Sequence, residues 1–96
     1  MAKNKITTHS VVQLIKNQVS CNLANEAVIL GLKDGVYYGL NPVGTVIWDL
    51  IKEPKRVNEI VNVLLKEYDV QKQQCENDTL HLLEELKSKE LIEVVE

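Results

Sequence analysis

The chain has 96 residues, 45% of them hydrophobic, and a formal net charge of −3. That length suits one domain, and the apolar share suffices for one core, which excludes a wholly disordered chain. The slightly acidic balance leaves no electrostatic footprint for nucleic acid or an anionic membrane, and no apolar run approaches the roughly 20 residues that cross a bilayer.

Residues 1–10 are polar and read as a flexible lead-in without the apolar stretch of a signal peptide, which points to a cytoplasmic setting. Cys21 and Cys75 stand far apart in no metal-ligand spacing and read as two free thiols. Val11 to Ile15 fits either a short strand or an extended lead-in. Val19 to Leu23 alternates as a strand, Ala24-Asn25 makes a turn, and Glu26 to Lys33 is a strand with apolar residues on both faces. Asp34-Gly35 is the dipeptide favoured by a two-residue type I′ hairpin. Val36 to Leu40 follows, with Val36, Tyr38 and Leu40 on one face.

Asn41 is a good N-cap, and Pro42 falls at the first helical position, where its missing N–H costs nothing. Val43, Val46, Ile47, Leu50 and Ile51 continue at helical spacing, so a strand runs into a helix with almost no linker. This first helix extends to about Lys52 and stops near Glu53-Pro54, because a residue before proline disfavours helical geometry. A second helix is predicted from about Val57 to Tyr68, with Val57, Ile60, Val61, Leu64, Leu65 and Tyr68 on one stripe. Asp69-Val70 interrupts it. A third runs from about Lys72 to Lys89, with Cys75, Thr79, Leu82, Leu83 and Leu86 at helical spacing. Leu91 to Val95 is a short β-like tail. The expectation is a single α+β domain over residues 1–96. It has a three-stranded antiparallel β-meander followed by three helices, winged helix-turn-helix-like.

Catalytic constellations are not evident. His9 and His81 have no partner at a diagnostic spacing and read as solvated surface residues. Glu84-Glu85, Glu67-Asp69 and Glu76-Asp78 read as solvated helical faces rather than acid–base pairs. Gly31, Gly35, Gly39 and Gly44 are spaced for a hairpin and a helix, not a phosphate loop. Trp48 on an inner stripe reads as core. No metal or cofactor is expected. The helix-turn-helix spacing raises DNA binding, but the third helix and its exit carry Glu76, Asp78, Glu84, Glu85 and Glu90 against Lys72, Lys87 and Lys89, which a phosphate backbone would repel.

Taken together, these segments resemble the PqqD-like family, the small peptide-binding domains known as RiPP recognition elements. The likeness rests on Gly35-Val36-Tyr37-Tyr38-Gly39-Leu40, Asn41-Pro42-Val43-Gly44 and Ile47-Trp48-Asp49-Leu50. It continues through Val57-Asn58-Glu59-Ile60-Val61, Leu64, Leu65 and Tyr68-Asp69-Val70. Asp78, Leu82, Leu83, Leu86 and Leu91-Ile92 complete it. Two places depart from the family pattern. Glu90 stands where a glycine usually ends the third helix, and Lys55-Arg56 stands where a Ser or Thr often caps the second.

The resemblance implies binding rather than catalysis: the leader of a ribosomally made precursor peptide adds as a strand beside the third strand and lies against the third helix. The residues it assigns to leader binding are Val36, Tyr37, Tyr38, Gly39 and Leu40 on the strand, and Cys75, Asp78, Thr79, Leu82, Leu83 and Leu86 on the helix. Of these, Leu83 and Leu86 are expected mostly in the core, Thr79 and Leu82 in the groove. Asp78 could stabilise the helix from its early turns or bind a leader amide or cation. The implied partners are the leader peptide and a leader peptidase or other modifying enzyme. The stand-alone length is most similar to leader-binding proteins of lasso-peptide pathways. The alternatives are a chaperone serving a radical-SAM enzyme in quinone-cofactor synthesis, and a winged-helix DNA-binding regulator. An exposed edge strand could also pair with a second copy of the chain.

Overall fold

The computed structural model describes residues 5–16, 18–23, 26–32 and 35–95. Strands β1 (Val11–Leu14), β2 (Gln18–Leu23), β3 (Glu26–Gly31) and β4 (Tyr37–Leu40) precede helix α1 (Pro42–Leu50). Strand β5 (Lys55–Arg56), helices α2 (Val57–Glu67) and α3 (Lys72–Ser88), and strand β6 (Ile92–Val94) complete the fold. The expected meander is present as an antiparallel sheet of order β2-β3-β4. In β3, Ala27, Ile29 and Gly31 are buried, while Val28 and Leu30 are partly covered on the other face.

The connection from β3 to β4 differs from a two-residue turn. Gly31 N–H donates to the Val36 carbonyl at 3.0 Å, so the described ladder closes at Gly31 and Val36, with Gly35 at φ +69°. The Ala24-Asn25 turn, Lys33 at the end of the predicted strand, and Asp34 lie outside the described residues. Register decides the loop length. Leu40 sits opposite Ala27, and the Thr45 hydroxyl of α1 bonds both residues. It accepts the Ala27 N–H at 2.8 Å and donates to the Leu40 carbonyl at 3.4 Å. A two-residue turn would shift the ladder and break that link.

Helix α1 begins as its sequence demands. Asn41 Oδ1 accepts the Gly44 N–H at 2.8 Å, and Pro42 takes the first turn. Gly44 is needed for space: a Cβ there would come within 3.3 Å of Leu40 Cβ and Asn41 Oδ1. Ile47 and Trp48 are buried, and the Trp48 indole N–H donates to Ser20 Oγ on β2 at 3.2 Å. The core joins these to Ala27 and Ile29, to Ile60, Val61 and Leu64 of α2, and to Leu83 and Leu86 of α3.

A second sheet, of order β5-β1-β6, was not legible in the sequence. Its centre is β1, the segment whose pattern fitted either a strand or a lead-in. Val12 pairs with Lys55 on one side and Val94 on the other, and is fully buried. Ahead of it, Ile6 is buried despite its polar surroundings in sequence, and its N–H donates to Glu84 on α3 at 2.7 Å. Ser10 and Thr8 carbonyls accept the Val57 and Asn58 N–H groups at 2.9 and 3.0 Å. Arg56 Nη1 donates to the His9 carbonyl at 2.6 Å, and Glu59 accepts the Arg56 N–H at 3.1 Å. Helix α2 therefore starts without a Ser or Thr cap because backbone from residues 8–10 satisfies its first donors.

Helix α3 ends in a Schellman turn. Glu90 adopts φ +62°, its N–H donates to the Lys87 carbonyl at 2.9 Å, and Leu91 N–H donates to the Leu86 carbonyl at 3.1 Å. The departure from glycine at this position leaves the exit geometry intact at the expense of left-handed strain.

Two stability outcomes follow. Replacing Thr45 by isosteric Val strands the buried Ala27 N–H. Urea unfolding followed by circular dichroism should show a loss of about 1–3 kcal/mol. Replacing Glu90 by Gly relieves the left-handed strain and should raise stability by about 0.5–1 kcal/mol in the same measurement.

Candidate functional site

Strand β4 pairs with β3 on one side and forms an edge of its sheet on the other. That edge does not face open solvent alone. Helix α3 crosses opposite it, leaving an apolar groove of about 710 Å³. Tyr37, Tyr38, Gly39 and Leu40 form the strand wall. Cys75, Asp78, Thr79, Leu82 and Leu86 line it from α3. The base comes from Gly44 and Ile47 of α1, and one end is closed by Leu64, Tyr68 and Val70 at the exit of α2. The junction at Asn41 holds the two walls apart at a set angle, because β4 and α1 share no linker.

Most residues singled out in the sequence converge here, and two do not. Val36 is exposed beside the loop, outside the groove, and Leu83 is fully buried in the core. Leu82 is half-buried on the groove wall. Thr79 lines the groove but is only 1% exposed, so it is floor rather than wall. Leu86 serves both core and groove. Tyr37 projects with 69% exposure, and Gly39 has nothing within 4 Å of where a Cβ would stand. Internal packing therefore does not require a glycine at 39.

Asp78 lies beyond the first turn of α3, too far along for a strong effect of the helix dipole. Its carboxylate accepts the Gln74 amide at 2.9 Å on the groove rim. Cys75 and Cys21 are free thiols, the first buried and the second exposed. Burial pushes the Cys75 thiol up from its ordinary value; a hydrogen bond with Thr79 opposes this, and the Asp78 and Glu76 carboxylates add to it. The thiol is therefore held protonated at neutral pH, an apolar lining group rather than a nucleophile.

The carboxylate pairs are not all solvated faces: Glu84 anchors Ile6, while Asp78 and Glu85 line the groove. His9 and His81 are exposed. Among the described residues, no group of three or more His, Cys, Asp or Glu side chains could hold a metal ion, and no helix is long and apolar enough to cross a membrane.

Sequence reading missed Glu85 and Lys89 on the groove, although the periodicity carried them. Cys75, Asp78, Leu82, Glu85 and Lys89 recur every three or four residues along one face of α3. Tyr68 and Val70 were visible only as the end of a helix, because their place in the groove depends on how α2 and α3 pack.

Comparison with known proteins agrees with this geometry. The family model described as coenzyme PQQ synthesis protein D (PqqD) matches residues 26–92. A structure of TbiB1 in complex with the TbiA(beta) leader peptide is similar at 40% identity and a TM-score of 0.80, over 84% of this chain and 94% of that one. A lasso peptide synthetase B1 complexed with the leader peptide shares the fold at 21% identity and a TM-score of 0.77, over 85% and 96% of the two chains. No curated protein sequence matches. With its meander, capped strand-to-helix junction and groove against the last helix, the chain belongs to the PqqD family.

Proposed function

We infer that this protein recognises the leader segment of a ribosomally synthesised precursor peptide, without catalysis, and delivers it to a modifying enzyme such as a leader peptidase. The observation that carries this reading is the open edge of β4 set opposite α3 across an apolar groove. An extended peptide adds there as a fourth strand. Its backbone completes the β4 ladder, and alternate side chains drop toward Leu82 and Leu86. Gly39 leaves room for the guest backbone to approach. The leader-binding set is Tyr37, Tyr38, Gly39, Leu40, Cys75, Asp78, Thr79, Leu82 and Leu86, with Val36 flanking the strand and Leu83 supporting the helix from the core.

The 40% identical TbiB1, held with a leader peptide, supports this occupant. Lasso-peptide biosynthesis in the cytoplasm is the favoured setting, on the resemblance of the sequence to stand-alone leader-binding proteins of that pathway; a chain named lasso peptide synthetase B1 shares the fold. The family model is named for coenzyme PQQ synthesis, which keeps a peptide chaperone for a radical-SAM enzyme as the second reading. Both readings use the same groove, and the precursor that binds separates them. Without a guest, the β4 edge is also open to pairing with a second copy of the chain.

A leader of about 20 residues from a precursor of this protein's own pathway, made as a fluorescein-labelled peptide, should bind saturably. Fluorescence polarisation checks this, and absence of saturable binding would overturn the reading. Leu82→Glu places an unpaired charge against the guest and should weaken binding about 30-fold or more while the circular dichroism spectrum is retained. A thiol reagent should label Cys21 quickly and Cys75 slowly, and bound leader should slow labelling of Cys75 further while leaving Cys21 unchanged.

A further inference from the structure

The charges along the groove are not evenly mixed. On the α3 face, Asp78 and Glu85 are acidic, and Lys89 is the one Lys or Arg among the described residues that line the groove. Lys89 stands at the C-cap of α3, where the left-handed turn at Glu90 sets the backbone. Its ammonium lies 5.3 Å from the centre of the Tyr38 ring on β4, so the cation reaches across from the helix wall to the strand wall. A guest strand added to β4 passes this cation at the Tyr38 end. One turn back, Glu85 repels a carboxylate, and Asp78 does the same further along.

We propose that Lys89 is a specificity-determining residue that accepts a carboxylate side chain of the guest peptide at the Tyr38 end of the groove, while Asp78 accepts a basic side chain at the other end. This rests on the leader-recognition reading above and sets the register of the bound strand. Asp78 and Lys89 are about three helical turns apart, roughly 16 Å along the axis. An extended chain covers that distance in about five residues. Both side chains must face α3, and a strand's side chains alternate, so the preferred guest carries an acidic and a basic residue about four or six positions apart, and a guest with the two exchanged meets like charge at both ends. The pairs are partly solvated, so each contributes modestly to affinity and more to choice among guests.

The test uses the full chain and the same labelled leader peptide, with Glu, Ala or Lys placed at each position in turn. Wild-type protein should prefer Glu over Lys by roughly fivefold at one position. Lys89→Glu should invert the preference at that position alone, and Lys89→Gln should abolish it. Asp78→Lys should invert a Lys preference at a position about four or six residues away, on the same face of the guest strand. Circular dichroism confirms that each variant is folded, and Leu82→Glu reports on the groove itself. Saturable binding in which Lys89→Glu shifts all peptides equally overturns this proposal and leaves leader recognition standing. If no peptide binds wild-type protein, both fall.

Discussion

The Thr45 hydroxyl is the contact on which the rest of the architecture turns. It joins the Ala27 N–H of β3 and the Leu40 carbonyl of β4 to the second turn of α1. Asn41 caps the same helix four residues earlier, and Gly44 lets the helix lie against Leu40 without a Cβ in the way. With no linker between β4 and α1, sheet and helix have a single relative orientation. Ile47 and Trp48 are thereby driven under the sheet, where the indole finds Ser20.

The opposite end of the molecule is held by its termini. Strand β1 lies between a two-residue strand and the C-terminal strand β6, so residues far apart in sequence close one small sheet. The segment before β1 also supplies the carbonyls that begin α2 and buries Ile6 beside α3. Helix α2 can therefore follow Lys55-Arg56, which as side chains are poor caps. Helix α3 is fixed over its C-terminal half. Glu84 takes the Ile6 N–H, and the turn at Glu90 sends the chain back into β6. A rigid α3 is what makes the groove a defined space.

The groove is made from a feature that sheets usually hide. An edge strand with unpaired backbone groups invites association, and proteins commonly blunt it with charge, proline or a bulge. Here Tyr37, Tyr38 and Gly39 occupy the edge without any of these, and α3 confines what can approach. The apolar walls suit an extended peptide, and the polar rim along α3 discriminates among such peptides. Cys75, kept neutral by its burial, belongs to the apolar wall.

The local elements were determined by the sequence itself. Alternation set β2 and β4, and an apolar run on both faces set β3; Asn41-Pro42 started α1; the stripe from Val57 to Tyr68 and that from Cys75 to Leu86 set α2 and α3. These signals are legible because they act between residues a few positions apart, through backbone preferences and periodic burial. The candidate wall residues were legible for the same reason, and because the strand-to-helix junction is distinctive. What only the tertiary structure decided depends on residues distant in the chain. The strand identity of β1 comes from partners more than forty residues away. The burial of Ile6, the capping of α2 by Thr8 and Ser10, and the closing of the β3–β4 ladder at Gly31 and Val36 are set in the same way. The division of α3 between core and groove, with Leu83 inside and Leu82 on the wall, also belongs there. One helical face holds both residues, and only the packing of α2 and β4 against it settles which side each serves.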